Sequence, residues 1–75
     1  MRGYNREEFK NLLGRRIKKL REDKKLTQQQ LAFRMGFKDK QVVNRYENDG
    51  ANPTIFSLLQ ICEALEVSIS ELLDF

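Results

Sequence analysis

The sequence predicts an all-α domain of five helices. Three capping boxes support this fold class, because each pairs an N-cap side chain with a Glu or Gln three residues later. The pairs are Asn5 with Glu8, Thr27 with Gln30, and Ser68 with Glu71. Between these boxes the hydrophobic residues recur every three or four positions, which is the period of an amphipathic helix. A chain of 75 residues allows one small domain with a modest core.

Caps and turn residues predict the bounds of the first three helices. The first runs from about residue 6 to 24 and buries an apolar stripe. The stripe consists of Phe9, Leu13, Ile17 and Leu20. The second covers residues 28–35, and Gly36 then supplies the left-handed turn that ends it. The third has Asp39 as its N-cap and continues to about residue 48.

The last two helices follow a loop over residues 49–53. Thr54 is the predicted N-cap of the fourth helix, which has one apolar face. That face is expected to contain Ile55, Leu58, Leu59, Cys62 and Leu65. The capping box at Ser68 opens a short terminal helix, and Leu72 and Leu73 are expected to point into the core.

Composition excludes several classes of protein. The chain has no histidine and one cysteine, so an internal disulfide and a Cys/His zinc site are both excluded. The usual nucleophile and acid–base groups of enzymes are also missing, and we expect no enzymatic activity and no cofactor. No apolar run approaches the length of a membrane span. We therefore expect a cytoplasmic, metal-free protein that is not associated with a membrane.

Charge is distributed unevenly along the chain. All 14 Lys and Arg residues lie at or before Arg45, together with five acidic residues, so this portion carries +9. From Tyr46 onward the chain has six acidic residues and no basic ones, which gives −6. Such polarity favours a basic surface that meets phosphates and an acidic part kept away from them. The alternative is that the asymmetry averages out when the helices pack.

An ordered set of short motifs indicates a family. They are Leu20–Arg21, Leu26–Thr27–Gln28, Leu31–Ala32, Met35–Gly36, Val43, Arg45–Tyr46–Glu47, Asn52–Pro53, Leu58–Leu59, Ala64–Leu65, Val67–Ser68 and Glu71–Leu72–Leu73. This set resembles the lambda-repressor-like helix-turn-helix family of phage repressors, Cro and xenobiotic-response-element-type bacterial regulators. The resemblance implies a compact five-helix DNA-binding domain over residues 14–73, with the helix-turn-helix at about 27–48. Residues 1–13 would be an N-terminal extension and the start of helix one, and 74–75 the C-terminal end.

The resemblance implies that the third helix lies in the major groove of double-stranded DNA. Lys40 and Gln41 would begin that helix, and Asn44 and Arg45 would follow one turn later on the same face. Lys and Arg match guanine O6 and N7, whereas Gln and Asn match adenine N6 and N7. Arg45 could instead touch phosphate at the groove edge. The alternative for the other three residues is an ordinary solvated helix face.

The family pattern also implies phosphate contacts and a structural ion pair. Thr27 and Gln28 stand at a helix start, where free N–H groups and the helix dipole attract anions. In the family the matching glutamine also braces the first recognition residue, here Lys40. Lys38 and Asn48 are further phosphate candidates. Arg21 and Glu47 occupy the positions that form a partly buried ion pair in the family.

Several positions depart from the family pattern. The spacing from Gly36 to Glu47 is one residue longer than is usual in the family, and the extra residue lies in the turn before the third helix. The helix positions assigned to Asp39 and Lys40 could therefore be off by one. The loop after the third helix, residues 49–51, is acidic where bases are common, and bases of the first helix would have to compensate. These bases are Arg15, Arg16, Lys18 and Lys19. Lys25 and Glu66 stand where glycine often ends a helix.

Two functions fit the resemblance. The first is a transcriptional regulator, expected to be a repressor, that binds a palindromic operator as a homodimer in the bacterial or phage nucleoid. The alternative is an antitoxin-type module that binds a partner protein and regulates its own gene. The predicted dimer or partner surface contains Phe56, Ile69, Leu72 and Phe75. The aromatic rings at this surface could equally cover the edge of the core.

Overall fold

Five α-helices form the part of the chain that the computed structural model describes, residues 3–75. They are α1 (Arg6–Asp23), α2 (Gln28–Arg34), α3 (Gln41–Asn48), α4 (Ile55–Leu65) and α5 (Ile69–Leu72). Residues 3–75 contain no β-strand, so the predicted all-α class is confirmed. The first two residues of the predicted N-terminal extension lie outside the described range. The remainder of that extension belongs mainly to α1, which passes through residue 14 without a break.

All three predicted capping boxes are present. In each box the cap side chain accepts the backbone N–H three residues on, and the Glu or Gln side chain accepts the N–H of the cap residue. The bonds from backbone N–H to the cap side chain run from Glu8 to Asn5 (2.8 Å), from Gln30 to Thr27 (3.0 Å) and from Glu71 to Ser68 (3.0 Å). The hydrogen bonds from Ser68 stabilise the carboxylate of Glu71 and lower its pKa.

The start of α3 differs from the prediction. Asp39 was expected to be the N-cap, but the helix begins at Gln41, and the residue before it, Lys40, has near-helical backbone angles. Asp39 Oδ1 still accepts the N–H of Gln41 at 2.9 Å. The prediction was therefore wrong by one position, because the long turn places a further residue between Asp39 and the helix. The carboxylate nevertheless satisfies a free N–H at the helix start.

The core lies where α1 meets α2, α4 and α5. Its buried hydrophobic residues are Leu13, Ile17, Leu20, Leu31, Ala32, Met35, Val43, Ile61, Cys62, Ala64, Leu65 and Leu72. Helix α3 packs against α1 and α2 and contributes only Val43 to this set. Val42 and Tyr46 of α3 also pack against the core, while Gln41, Arg45 and Asn48 leave one side of the helix at the surface.

The predicted apolar face of α4 is only partly correct. Cys62 and Leu65 are buried and Leu58 is half-buried, but Ile55 is 77% exposed and Leu59 is 54% exposed. Since the first turns of α4 carry apolar residues on more than one side, spacing alone could not say which side faces the core. The helix therefore presents an apolar surface to solvent.

Two helix ends adopt left-handed backbone angles at residues other than glycine. Lys25 has φ 59° and Glu66 has φ 58°, at the positions where the sequence departs from the usual glycine. Gly36 has φ 90°, as the turn after α2 requires. Left-handed angles strain residues that carry a Cβ, so the ends of α1 and α4 give up some local stability.

Gly14 allows α1 to lie directly on the backbone of α3. A Cβ at this position would lie 2.6 Å from the carbonyl oxygen of Tyr46 and 2.9 Å from that of Glu47. Both neighbours are backbone atoms that cannot rotate away. The absence of a side chain at Gly14 therefore sets the distance between the two helices.

We expect Gly14→Ala to destabilise the fold by about 1–3 kcal/mol, because overpacking must push α1 and α3 apart. Helix propensity alone predicts the opposite sign, since alanine favours a helix over glycine. Urea unfolding followed by circular dichroism measures the free energy of unfolding. Asn11→Ala, on an exposed part of α1, is the matched control and should change little. Unchanged or increased stability of Gly14→Ala would contradict this packing argument.

Candidate nucleic-acid interface

Helices α2 and α3 are held together by buried small and aliphatic residues. Leu31, Ala32 and Met35 of the first helix and Val43 of the second are all buried. The turn between them is closed by backbone bonds, in which Phe37 N–H donates to Ala32 O at 2.9 Å and Gly36 N–H donates to Phe33 O at 3.0 Å. The arrangement is a helix-turn-helix with the outer face of α3 at the surface.

Two of the four predicted base-contacting residues, Gln41 and Arg45, lie on that outer face, and a third, Lys40, is the N-cap residue immediately before the helix. Lys40, Gln41 and Arg45 are exposed, and the ion pairs among the described residues involve other basic side chains. Gln41 and Arg45 are one helical turn apart and therefore point in nearly the same direction. Their donor and acceptor groups are available to a ligand that fits this face.

Asn44, the fourth residue, is half-buried in a network of amides. Its Oδ1 accepts hydrogen bonds from Asn48 Nδ2 at 2.7 Å and from Gln28 Nε2 at 3.5 Å. The oxygen is thus engaged by protein donors, whereas Nδ2 has no partner among the hydrogen bonds of residues 3–75. A bidentate contact with adenine requires both groups, whereas a single donor suits an acceptor such as guanine N7 or O6.

Gln28 makes contacts that the sequence did not predict. Its Nε2 donates to Glu47 Oε1 at 3.1 Å as well as to Asn44, so the side chain braces the middle of α3. The family pattern implied contact with Lys40, and the structure does not have that contact among its hydrogen bonds.

The ion pair between Arg21 and Glu47 joins α1 to α3. Arg21 Nε lies 2.7 Å from Glu47 Oε2, Nη2 lies 3.1 Å from Oε1, and Nη1 donates to Leu26 O at 2.7 Å. The Glu47 side chain is 0% exposed and that of Arg21 is 10% exposed. The hydrogen bond to Glu47 raises the pKa of Arg21, so the guanidinium stays protonated.

The predicted phosphate contacts lie around the start of α2 and the ends of α3. Thr27 acts as the N-cap of α2, and Lys38 and Asn48 are exposed. Gln29, which the sequence analysis did not single out, donates to Lys38 O at 3.1 Å and holds the turn in place. In the sequence Gln29 looks like any surface glutamine near a helix start, so no sequence pattern predicts that it holds the turn.

Some bases of α1 have structural partners. Arg16 donates to the carbonyl of Glu71 through Nε at 2.9 Å and Nη2 at 2.7 Å, which ties α1 to α5. Lys19 lies 3.4 Å from Asp23 in an exposed ion pair. We therefore assign Arg16 to the packing of α1 on α5 rather than to compensation for the bases missing from the loop after α3.

The predicted dimer or partner surface needs correction. Phe56 is 70% exposed and Ile69 is 41% exposed, but Leu72 is 0% exposed, so its assignment to a surface was wrong. Its burial confirms the other expectation for Leu72, that it points into the core. Phe75 is half-buried, and its ring packs against Phe9 with centroids 5.7 Å apart.

Other kinds of site find little support in residues 3–75. They contain no group of three or more His, Cys, Asp or Glu residues placed to hold a metal ion. The helices in this range are too short or too polar to cross a membrane. Cys62 is buried, and burial raises the pKa of its thiol, which disfavours the reactive thiolate.

Comparison with known proteins establishes the family. The family model described as helix-turn-helix matches residues 17–72, which is most of the chain. The chain therefore belongs to the Cro/C1/XRE-type helix-turn-helix family, and the resemblance inferred from its motifs is confirmed. Members of this family are DNA-binding transcriptional regulators and are not enzymes.

Individual relatives agree with this assignment. The chain is 35% identical over 65 residues to the uncharacterised HTH-type transcriptional regulator y4dJ of Sinorhizobium fredii, covering 87% of this chain and 83% of that protein. Its fold is similar to the restriction-modification controller protein C.AhdI from Aeromonas hydrophila, with TM-score 0.83, 29% identity, and coverage of 92% and 99% of the two chains. The controller protein C.Esp1396I gives TM-score 0.73 and 32% identity, with coverage of 89% and 96%.

We expect Glu47→Ala to cost about 3–5 kcal/mol of stability, because it leaves the charge of Arg21 buried without a partner. The thermal unfolding midpoint measures this loss, and DNA binding would fall as a consequence of unfolding. Asp23→Ala is the matched control, since it removes an exposed ion pair with Lys19 and should cost less than about 1 kcal/mol. A melting temperature that does not change in Glu47→Ala would disprove the structural role.

Proposed function

We propose that this protein binds specific sequences of double-stranded DNA with α3 in the major groove and represses transcription by occluding a promoter. The observation that carries the proposal is that Gln41 and Arg45 are exposed on the outer face of α3, with Lys40 exposed at the N-cap of the same helix. These groups are the kinds that pair with base edges in the major groove. The rigid attachment of α3 to α1 and α2 supports the same role.

Phosphate contacts in this proposal come from Lys38, from the second Nδ2 hydrogen of Asn48, and from the N-terminal turn of α2 after Thr27. Gln28 takes part through its backbone N–H in that turn, because its side-chain amide donates to Asn44 and Glu47. Lys38 stands between the two helices, and its backbone is held by Gln29 at 3.1 Å. Contacts to phosphate position the protein but carry no sequence information. We therefore assign base recognition to α3 and orientation on the duplex to the turn and to α2.

We propose further that the protein acts as a homodimer through the apolar surface of α4 and α5. This surface, which we call the α4–α5 surface, is defined by Ile55, Phe56, Leu59 and Ile69, all exposed. Exposed apolar residues on successive turns of one helix, as at Ile55, Phe56 and Leu59, favour association with another protein. A two-fold dimer would place two copies of α3 on half-sites of a palindromic operator.

A partner protein on the α4–α5 surface is the second candidate, in the manner of an antitoxin. It is supported by Phe33, which is 60% exposed on α2 and makes the apolar surface of the molecule broader than four residues. In either case the protein would act where the chromosome or phage DNA is present, so we propose the cytoplasm as its location. A neighbouring gene for a small toxin would favour this second candidate.

Selection of bound sequences from random duplexes tests the DNA-binding proposal. We expect a palindrome whose affinity falls steeply with salt, because phosphate contacts release counterions. Arg45→Ala and Gln41→Ala should each lower the discrimination between bases at one base pair per half-site by about 1–3 kcal/mol. Lys18→Ala removes a positive charge from α1 and is the control, since it should leave base preference unchanged. Binding that shows no sequence preference would refute the assignment of α3.

Sedimentation equilibrium tests the dimer proposal. The wild-type protein, with a chain mass of 8.9 kDa, should sediment as two chains, whereas Phe56→Glu should sediment as one. Burying a carboxylate in an apolar interface is unfavourable, while an exposed substitution should leave the melting temperature of the monomer nearly unchanged. Asn11→Glu, on an exposed part of α1, is the control. A dimer that persists in Phe56→Glu would place the interface elsewhere, and a monomeric wild-type protein would favour a different partner.

A further inference from the structure

A shallow cavity lies beside the outer face of α3, at the turn that precedes it. It has a volume of about 280 Å³. Its lining residues are Phe37, Lys38, Asp39, Gln41, Val42 and Arg45. Two of them, Gln41 and Arg45, belong to the proposed base-contacting set. The cavity is therefore continuous with the surface that would face the bases.

The cavity combines an apolar part with a polar border. Phe37 is 38% exposed, which is unusual for an aromatic ring in a turn that otherwise carries charged residues. Val42 is half-buried and packs against the core, so its position is well defined. The amide of Gln41 and the guanidinium of Arg45 follow along α3 on the outward side.

The charged groups around the cavity suit a nucleic acid. Lys38 and Arg45 are both exposed and carry positive charge. The carboxylate of Asp39 accepts the N–H of Gln41 at 2.9 Å, so part of the hydrogen-bonding capacity of this carboxylate is satisfied by the helix start. A ligand that brings a small apolar group together with negative charge nearby would match this combination.

We propose that the cavity receives the C5 methyl group of a pyrimidine in the major groove, and that Phe37 and Val42 thereby determine specificity. Thymine is the base that presents such a methyl group at the groove surface, and apolar side chains recognise it by contact. The same chemistry is offered by 5-methylcytosine. This inference rests on the proposed DNA-binding function, because it requires α3 to lie in the major groove.

Replacing thymine by deoxyuridine tests the inference, since the change removes the methyl group and keeps the base pair. In the selected operator, each thymine is replaced in turn, symmetrically in both half-sites, and the Kd of the wild-type protein is measured. We expect one position to lose about four-fold in affinity per methyl group, which is the value of burying one such group. Equal affinity at every position would overturn the inference.

Two variants identify the residues responsible. Phe37→Ala should bind the thymine and deoxyuridine duplexes equally, and Val42→Ala provides a second test if the first variant fails to fold. Lys40→Ala is the control, because Lys40 does not line the cavity and its loss should weaken recognition of another base pair while the response to deoxyuridine persists. Retention of the full methyl effect in folded Phe37→Ala and Val42→Ala would assign the contact to other residues and overturn the proposal.

A cytosine series separates the two sources of the methyl group. At the responsive position, a C·G pair and a 5-methylcytosine·G pair are compared, and we expect the methylated duplex to bind more tightly by the same factor. Equal binding of these two duplexes would restrict the contact to thymine. Recovery of no specific duplex at all would refute the proposed function itself, whereas a specific duplex without any methyl-sensitive pyrimidine would refute this inference alone.

Discussion

The buried contact between Arg21 and Glu47 determines where α3 lies. Two guanidinium nitrogens bind the carboxylate, the third binds Leu26 O, and Gln28 adds a further donor to Glu47. Charges removed from water are costly unless every polar atom finds a partner, and in residues 3–75 no buried side-chain N or O atom lacks one. Few orientations of α3 satisfy all these bonds together, so the pair favours a single placement of the helix.

Packing and hydrogen bonding support the same placement from two sides. Gly14 brings the backbone of α1 against that of α3, and Val43 anchors α3 in the core. Gln28 and Asn48 hold Asn44 from the α2 side and from the end of α3. Because the inner side of α3 is fully engaged, its outer side can carry polar groups without cost to stability. Rigid presentation of those groups reduces the entropy lost on binding.

Helix α4 illustrates a different balance between stability and association. Its inner side supplies Ile61, Cys62 and Leu65 to the core, while Ile55 and Phe56 remain in water. A single small domain gains nothing in stability from apolar residues left exposed, so their presence favours a surface that is covered in an assembly.

By itself, the sequence determined the helical class, the helix bounds to within one or two residues, and the family. Those features depend on local chemistry: caps such as Thr27 and turns such as Gly36 act on neighbours in the chain. The tertiary structure decided what depends on long-range contacts. It placed Ile55 and Leu59 outside, and it directed Gln28 to Asn44 and Glu47, because helical spacing defines a face but not what that face meets.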